Sequence, residues 1–239
     1  MTRVPHLRAE NIIATLEKLH ARIVARFPHA GISNVCAELV DTARWSAKDA
    51  AKVARPDYLW RAAVLVLVVG GVIAQVAAFR FLHVSGGEMS APELVQGLEA
   101  AVNLLILFGG AVWFLMTLEE RGKRRHVLDA LHRLRSLAHI IDMHQLTKDP
   151  TVILDKNKTE ASPERTMTQF ELTRYLDYCA EMQALIGKLA ALYADRMRDS
   201  VVIEAVNDIE NLTTGLGRKI WQKITILSAL EDRDAPRGN

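Results

Sequence analysis

An all-α membrane protein, with a two-helix transmembrane hairpin and a cytoplasmic bundle of long helices, is predicted by three observations. Two apolar stretches, Ala62 to Leu82 and Leu98 to Leu118, flank a short acidic loop. Each is long enough to cross a hydrocarbon core of about 30 Å at about 1.5 Å per helical residue. Basic residues border the outer ends of both stretches and are missing between them. Elsewhere, apolar residues recur at three- and four-residue intervals, the spacing of a helix that buries one face. Whole-chain averages hide this segregation: 24% of the residues are charged and the mean hydropathy is +0.07, which resembles a soluble protein.

Residues 1–57 are expected to form cytoplasmic helices ahead of the membrane. Leu7, Ile12, Leu16, Leu19, Ile23 and Phe27 make one stripe that stops at Pro28. Val35, Leu39, Ala43, Ala47, Ala50 and Ala51 make a second, ending before Pro56. The first helix could lie on anionic lipid through Arg8, Lys18, Arg22 and Arg26, but packing onto the other cytoplasmic helices is the commoner fate of such a stripe. Glu10 and Glu17 argue against an organelle transit peptide, and the first span lies too far along the chain, and is too long, for a signal peptide.

The first transmembrane helix is expected over 58–83, a short extracytoplasmic loop over 84–96, and the second helix over 97–118. Arg44, Lys48, Lys52, Arg55 and Arg61 precede the first; Arg121, Lys123, Arg124 and Arg125 follow the second; Val84 to Gly97 holds no Lys or Arg. Both termini are therefore expected in the cytoplasm. Tyr58, Trp60, Trp113 and Phe114 fall near the cytoplasmic ends, at headgroup depth. A bacterial inner membrane is the simplest address.

Laid antiparallel, one register brings Gly70 and Gly71 level with Gly109 and Gly110, Gln75 with Asn103, Arg80 with Glu99 in an ion pair, and Arg61 with Glu119 or Glu120. Matched glycines let two backbones approach, and a Gln–Asn hydrogen bond in hydrocarbon contributes about 0.6–2 kcal/mol. These groups read as packing contacts in preference to a conduction pathway. A pore would need an oligomer that turns Glu99, Asn103, Ile106, Gly110, Trp113 and Thr117 inward. The signatures of two-helix magnesium channels and of the mitochondrial calcium uniporter do not occur in the loop.

The second helix is expected to continue as a cytoplasmic stalk over 119–146, with Val127, Leu131, Leu134, Ala138 and Ile141 as its seam. Residues 147–166 read as a loop. A helical hairpin follows over 167–231, its stripes being Leu172, Leu176, Cys179, Met182, Ile186, Leu189, Tyr193 and Arg196, then Val202, Val206, Ile209, Leu216, Ile220 and Leu227. Ser200 is the expected N-cap at the break between them. Gly215 and Gly217 predict a close helix contact or a kink. Residues 232–239 are expected to be disordered.

No nucleotide loop, catalytic triad or closed metal site is present, so no enzyme activity and no cofactor are expected. On the stalk, Asp129, His132, Ser136 and His139 share a stripe, and Asp142 follows by a turn. It reads as a solvated face; His132, His139 and Asp142 are the residues that would ligate a metal there. Cys36 and Cys179 read as small buried hydrophobes without a disulfide.

The segments SLAHIIDMHQLTKDP and DIENLTTGLGRKIWQKI resemble those of bacterial two-pass membrane proteins of no assigned activity, which implies a bacterial origin. In layout the chain is also similar to two-helix membrane effectors of bacterial antiphage systems, in which a cytoplasmic region controls membrane disruption. The expected function is a membrane-anchored helical scaffold or partner-binding protein that self-associates through its cytoplasmic bundle. The alternative is an oligomeric channel or permeabilising effector gated by the cytoplasmic helices. Expected partners are the lipid bilayer, a second copy and a cytoplasmic protein, not nucleic acid.

Overall fold

The computed structural model describes residues 7–53, 55, 57–84, 91–146, 148 and 167–234, and among these every regular element is an α-helix. The helices are α1 (Ala9–Arg26), α2 (Gly31–Val53), α3 (Tyr58–Val84), α4 (Ala91–Leu146), α5 (Gln169–Arg196) and α6 (Ser200–Asp234). They divide into two compact units: Arg55–Arg125, and Met1–Ala54 with His126–Asn239. Helix α4 is continuous and contributes residues to both.

The larger unit is a bundle of α1, α2, the end of α4, α5 and α6. Helix α1 ends at Arg26, where Pro28 lacks the amide needed to continue it. Its stripe of Ile12, Leu16, Leu19 and Ile23 is buried in the common core, so α1 packs against the bundle and does not lie flat on lipid by that face. The stalk seam Val127, Leu131, Leu134, Ala138 and Ile141 is also buried, as are the predicted core positions of α5 and α6 apart from the exposed Arg196. Full burial of each such Leu or Ile contributes about 1.5–3 kcal/mol. Helix α5 is central. It buries Tyr175, Tyr178, Ala180, Gln183, Leu185 and Leu192 besides its predicted stripe.

Four boundary expectations are corrected. The core face of α2 runs through Ser46, Asp49 and Ala50, leaving Ala47 half-buried and Ala51 exposed. Helix α4 begins at Ala91, so part of the expected 84–96 loop is helical, and residues 85–90 lie outside the described residues. Helix α6 runs to Asp234, into the expected tail, whose residues 235–239 also lie outside them. So does the 147–166 loop apart from Lys148. Asp199, not Ser200, caps α6: its Oδ1 accepts from the Val201 and Val202 amides at 3.0 and 3.2 Å. A carboxylate at that place meets both the orphan amides and the positive end of the helix.

The close contact expected at Gly215 and Gly217 occurs elsewhere. A Cβ at either would have nothing within 4 Å, whereas one at Gly187 would lie 3.1 Å from Thr213 Oγ1. Gly187 is the position that lets α5 approach α6.

Candidate functional sites in the hairpin and the bundle

Helices α3 and α4 are long and apolar enough to cross a membrane. They pair antiparallel in nearly the expected register. Arg61 Nε lies 3.8 Å from Glu119 Oε2, Lys123 donates to Glu119 at 2.7 Å and to the Arg55 carbonyl at 3.1 Å, and Trp60 Nε1 donates to the Leu115 carbonyl at 3.0 Å. The contacts further along differ from expectation. Gln75 Nε2 donates to the Ala101 carbonyl at 3.5 Å and not to Asn103. Among the described residues, Arg80 and Glu99 form no ion pair, and both are exposed. Gly70, Gly109 and Gly110 face open space, while Gly71 abuts Phe108, whose Cε2 would lie 2.5 Å from a Cβ. The register brings polar and small residues to similar depth, but the rotation of each helix about its own axis turns three of the four glycines away from the contact.

Along the bundle segment of α4, Asp129, His132, Ser136 and His139 are exposed, as their position opposite the seam requires. Asp142 is engaged: its Oδ1 accepts from Gln145 Nε2 at 2.6 Å, and Lys223 Nζ donates to the Gln145 carbonyl and Oε1 at 3.1 and 2.7 Å. Gln145 is buried, so this chain of hydrogen bonds joins the end of α4 to α6 through the core. Gln183 on α5 adds a buried bond to the Ala138 carbonyl at 2.8 Å. Among the described residues, no three His, Cys, Asp or Glu side chains come together as metal ligands.

A second polar centre was not anticipated from sequence. Asp49 on α2 is buried; its Oδ1 lies 2.7 Å from His126 Nε2 on α4, and its Oδ2 accepts from the Tyr193 hydroxyl on α5 at 3.2 Å. Burial, with the Asp49 carboxylate as a smaller cause, pushes the Tyr193 phenol above its ordinary range. Ser46 Oγ sits beside the same phenol, buried and without a well-formed hydrogen bond. The Trp45 ring tilts over His126 at 6.3 Å, and the Arg133 guanidinium covers Trp45 at 4.4 Å. The cluster holds three helices together through one carboxylate. Its sequence signal was the spacing of Ser46 and Asp49, which continue the stripe of Leu39 and Ala43.

Cys36 and Cys179 are buried and free. Burial, reinforced at Cys36 by the Glu181 carboxylate, pushes both thiols up to about 12, so neither has the lowered value of a reactive thiol. Compared with protein-family models, with curated proteins and with solved structures, the chain matches none.

Proposed function

We propose that the chain is a membrane-anchored helical scaffold or partner-binding protein, held in a bacterial inner membrane by α3 and α4 with both termini in the cytoplasm. The contrast between the two units carries this reading. Leu65, Leu105 and Leu107 of the pair α3–α4 are 62%, 65% and 75% exposed, whereas Leu16, Leu39 and Ile186 of the bundle are fully buried. An apolar surface on that scale fits lipid and would associate in water. The basic flanks support the orientation. The seams that suggested self-association are already buried within one chain, which leaves surface groups such as Trp221 and Phe170 to meet a second copy or a cytoplasmic protein. Both are exposed aromatics, the residue type enriched at interfaces.

One observation favours the channel or permeabilising alternative. Among the described residues, Glu99 and Asn103 are exposed on α4 with no ion-pair or hydrogen-bond partner, and polar groups in hydrocarbon require one. The deciding experiment uses single-cysteine variants in intact cells and the purified protein in liposomes. Cysteine replacing Ser90 should label with an impermeant maleimide and cysteine replacing Asn239 should not; liposomes should hold an ion gradient. Reversed labelling ends the topology, alkaline extraction of the protein ends the anchor, and a leak abolished by Asn103→Val moves the function to conduction.

A further inference from the structure

Where the α1–α2 corner meets the end of α4 and the start of α5, the bundle opens into a cleft of about 520 Å³. Its lining includes Arg26, His29, His144, Lys148, Glu171 and Tyr175. Four of these six are cationic or able to become so. Three bundle cations outside the cleft have carboxylate partners: Arg22 with Glu181, Arg44 with Glu17, Arg174 with Asp177. Among the described residues neither Arg26 nor Lys148 is in an ion pair; the first lies 5.1 Å over the Phe170 ring and the second 5.5 Å over the Tyr175 ring, which position a cation without neutralising it.

Among the described lining residues the one carboxylate is already engaged. Glu171 Oε2 accepts from the Thr168 amide at 2.8 Å and from its hydroxyl at 2.9 Å, closing the capping box of α5. The first turn of α2 opens on the same cleft at Gly31, carries no acidic residue, and has no acceptor for the Gly31 and Ile32 amides among the described residues. Ser33 lies inside the first turn, and its hydroxyl donates back to the Ala30 carbonyl at 2.8 Å. A Cβ at Gly31 would lie 2.8 Å from His144 Cε1, so glycine leaves the imidazole room beside the helix start. Tyr175 also borders the cleft. It is 97% buried, and its hydroxyl has no hydrogen-bond partner among the described residues. Cations outside salt bridges and open helix amides converge on one chemistry, an oxyanion.

We propose that this cleft binds the phosphate group of a small phosphorylated molecule, with Arg26, Lys148 and the start of α2 holding the phosphate oxygens. The volume exceeds that of phosphate alone and falls in the range of pockets for small organic ligands, so the remainder of the ligand rests against Phe27 and Tyr175. A soluble phosphoester and a phospholipid headgroup share this chemistry, and the test separates them.

The test is calorimetric titration of the full chain in neutral detergent, at constant ionic strength, with pyrophosphate, AMP, adenosine and monomeric dihexanoyl phosphatidic acid. Saturable binding of AMP or pyrophosphate, with none of adenosine, is expected. Arg26→Gln with Lys148→Gln should weaken it by about tenfold or more, since two charge-assisted contacts are lost. The charge-matched control Lys18→Gln with Lys52→Gln should leave it unchanged. Binding of phosphatidic acid alone would support the site and assign the headgroup as its source. Should the double variant fail to fold by circular dichroism, Tyr175→Phe and His144→Gln each provide a separate reading, with a loss of a few-fold expected. Binding by no phosphate-bearing probe, equal binding of adenosine and AMP, or equal loss in the control pair would overturn the proposal. The site belongs to the bundle unit, so its failure and that of the membrane anchor are read independently.

Discussion

At the scale of single residues, neighbours decide what a glycine does. Gly71 and Gly110 are equivalent in sequence pattern, yet a side chain at Gly71 meets the Phe108 ring and one at Gly110 meets nothing. Gly71→Leu should therefore separate α3 from α4, at a cost of about 1–3 kcal/mol as for other overpacked contacts. Gly110→Leu should leave the pairing within one chain intact. Crosslinking between cysteines at Gln75 and Ala101 reads the difference: it should fall in the first variant and persist in the second. Equal loss in both would restore a contact through matched glycines. Asp49 makes the complementary point. The stripe read for α2 rested on its apolar residues, and the buried carboxylate became intelligible only beside His126 and Tyr193, which are remote in sequence.

At the scale of elements, the caps specify where the helices begin. Thr168 accepts from the Glu171 amide at 3.2 Å while Glu171 reaches back to the Thr168 amide, a reciprocal pair written in the sequence as Thr-Gln-Phe-Glu. The hydrogen bonds from Thr168 hold the Glu171 carboxyl below its ordinary range. The cap's contribution is thus present above the ordinary glutamate range and fades as pH falls through the lowered value. Thr168→Ala should lower stability by about 1 kcal/mol, and Asp199→Ala should act similarly at α6. Ser200→Ala should be nearly silent. Urea midpoints of the three variants test the order; a larger loss at Ser200 would return the cap of α6 to that residue. These starts were legible in the chain, since local hydrogen-bonding side chains carry them. The displacement of the α6 cap by one residue was not, because Asp and Ser are comparable caps and their backbone dihedrals decide between them.

At the scale of the whole molecule, stability depends on keeping the buried thiols and phenols uncharged. Cys36 on α2 and Cys179 on α5 are raised to about 12 from an ordinary value of 9.0, chiefly by burial. An unfolded chain loses these thiol protons first, so their contribution is complete below the ordinary value and is lost as pH rises through about 12. The buried phenols Tyr175 and Tyr193 are raised too and act in the same direction. At about pH 8 neither cysteine should react with iodoacetamide in the folded protein, and both should react in urea. The fall in stability above the ordinary thiol value should be smaller in Cys36→Ala with Cys179→Ala, each compared with its own value at neutral pH. Rapid alkylation of the folded protein would contradict the burial.

Residue order alone determined the all-helical class, the two spans long enough for a bilayer and the apolar faces of α1, α4, α5 and α6, because helix period and hydropathy are properties of neighbouring residues. It also marked Leu146 as the end of α4 and Pro28 as the stop after α1. Only the tertiary structure decided which polar groups meet. Helix rotation directed Gln75 to the Ala101 carbonyl in place of Asn103 and turned Gly110 outward. Packing of α5 against three neighbours brought Tyr193 to Asp49, and the meeting of the α1–α2 corner with the end of α4 gathered Arg26, His144 and Lys148 around one cleft. Such contacts depend on rotations of a few tens of degrees about each helix axis, and a stripe of apolar residues broad enough to bury a helix tolerates rotations of that size.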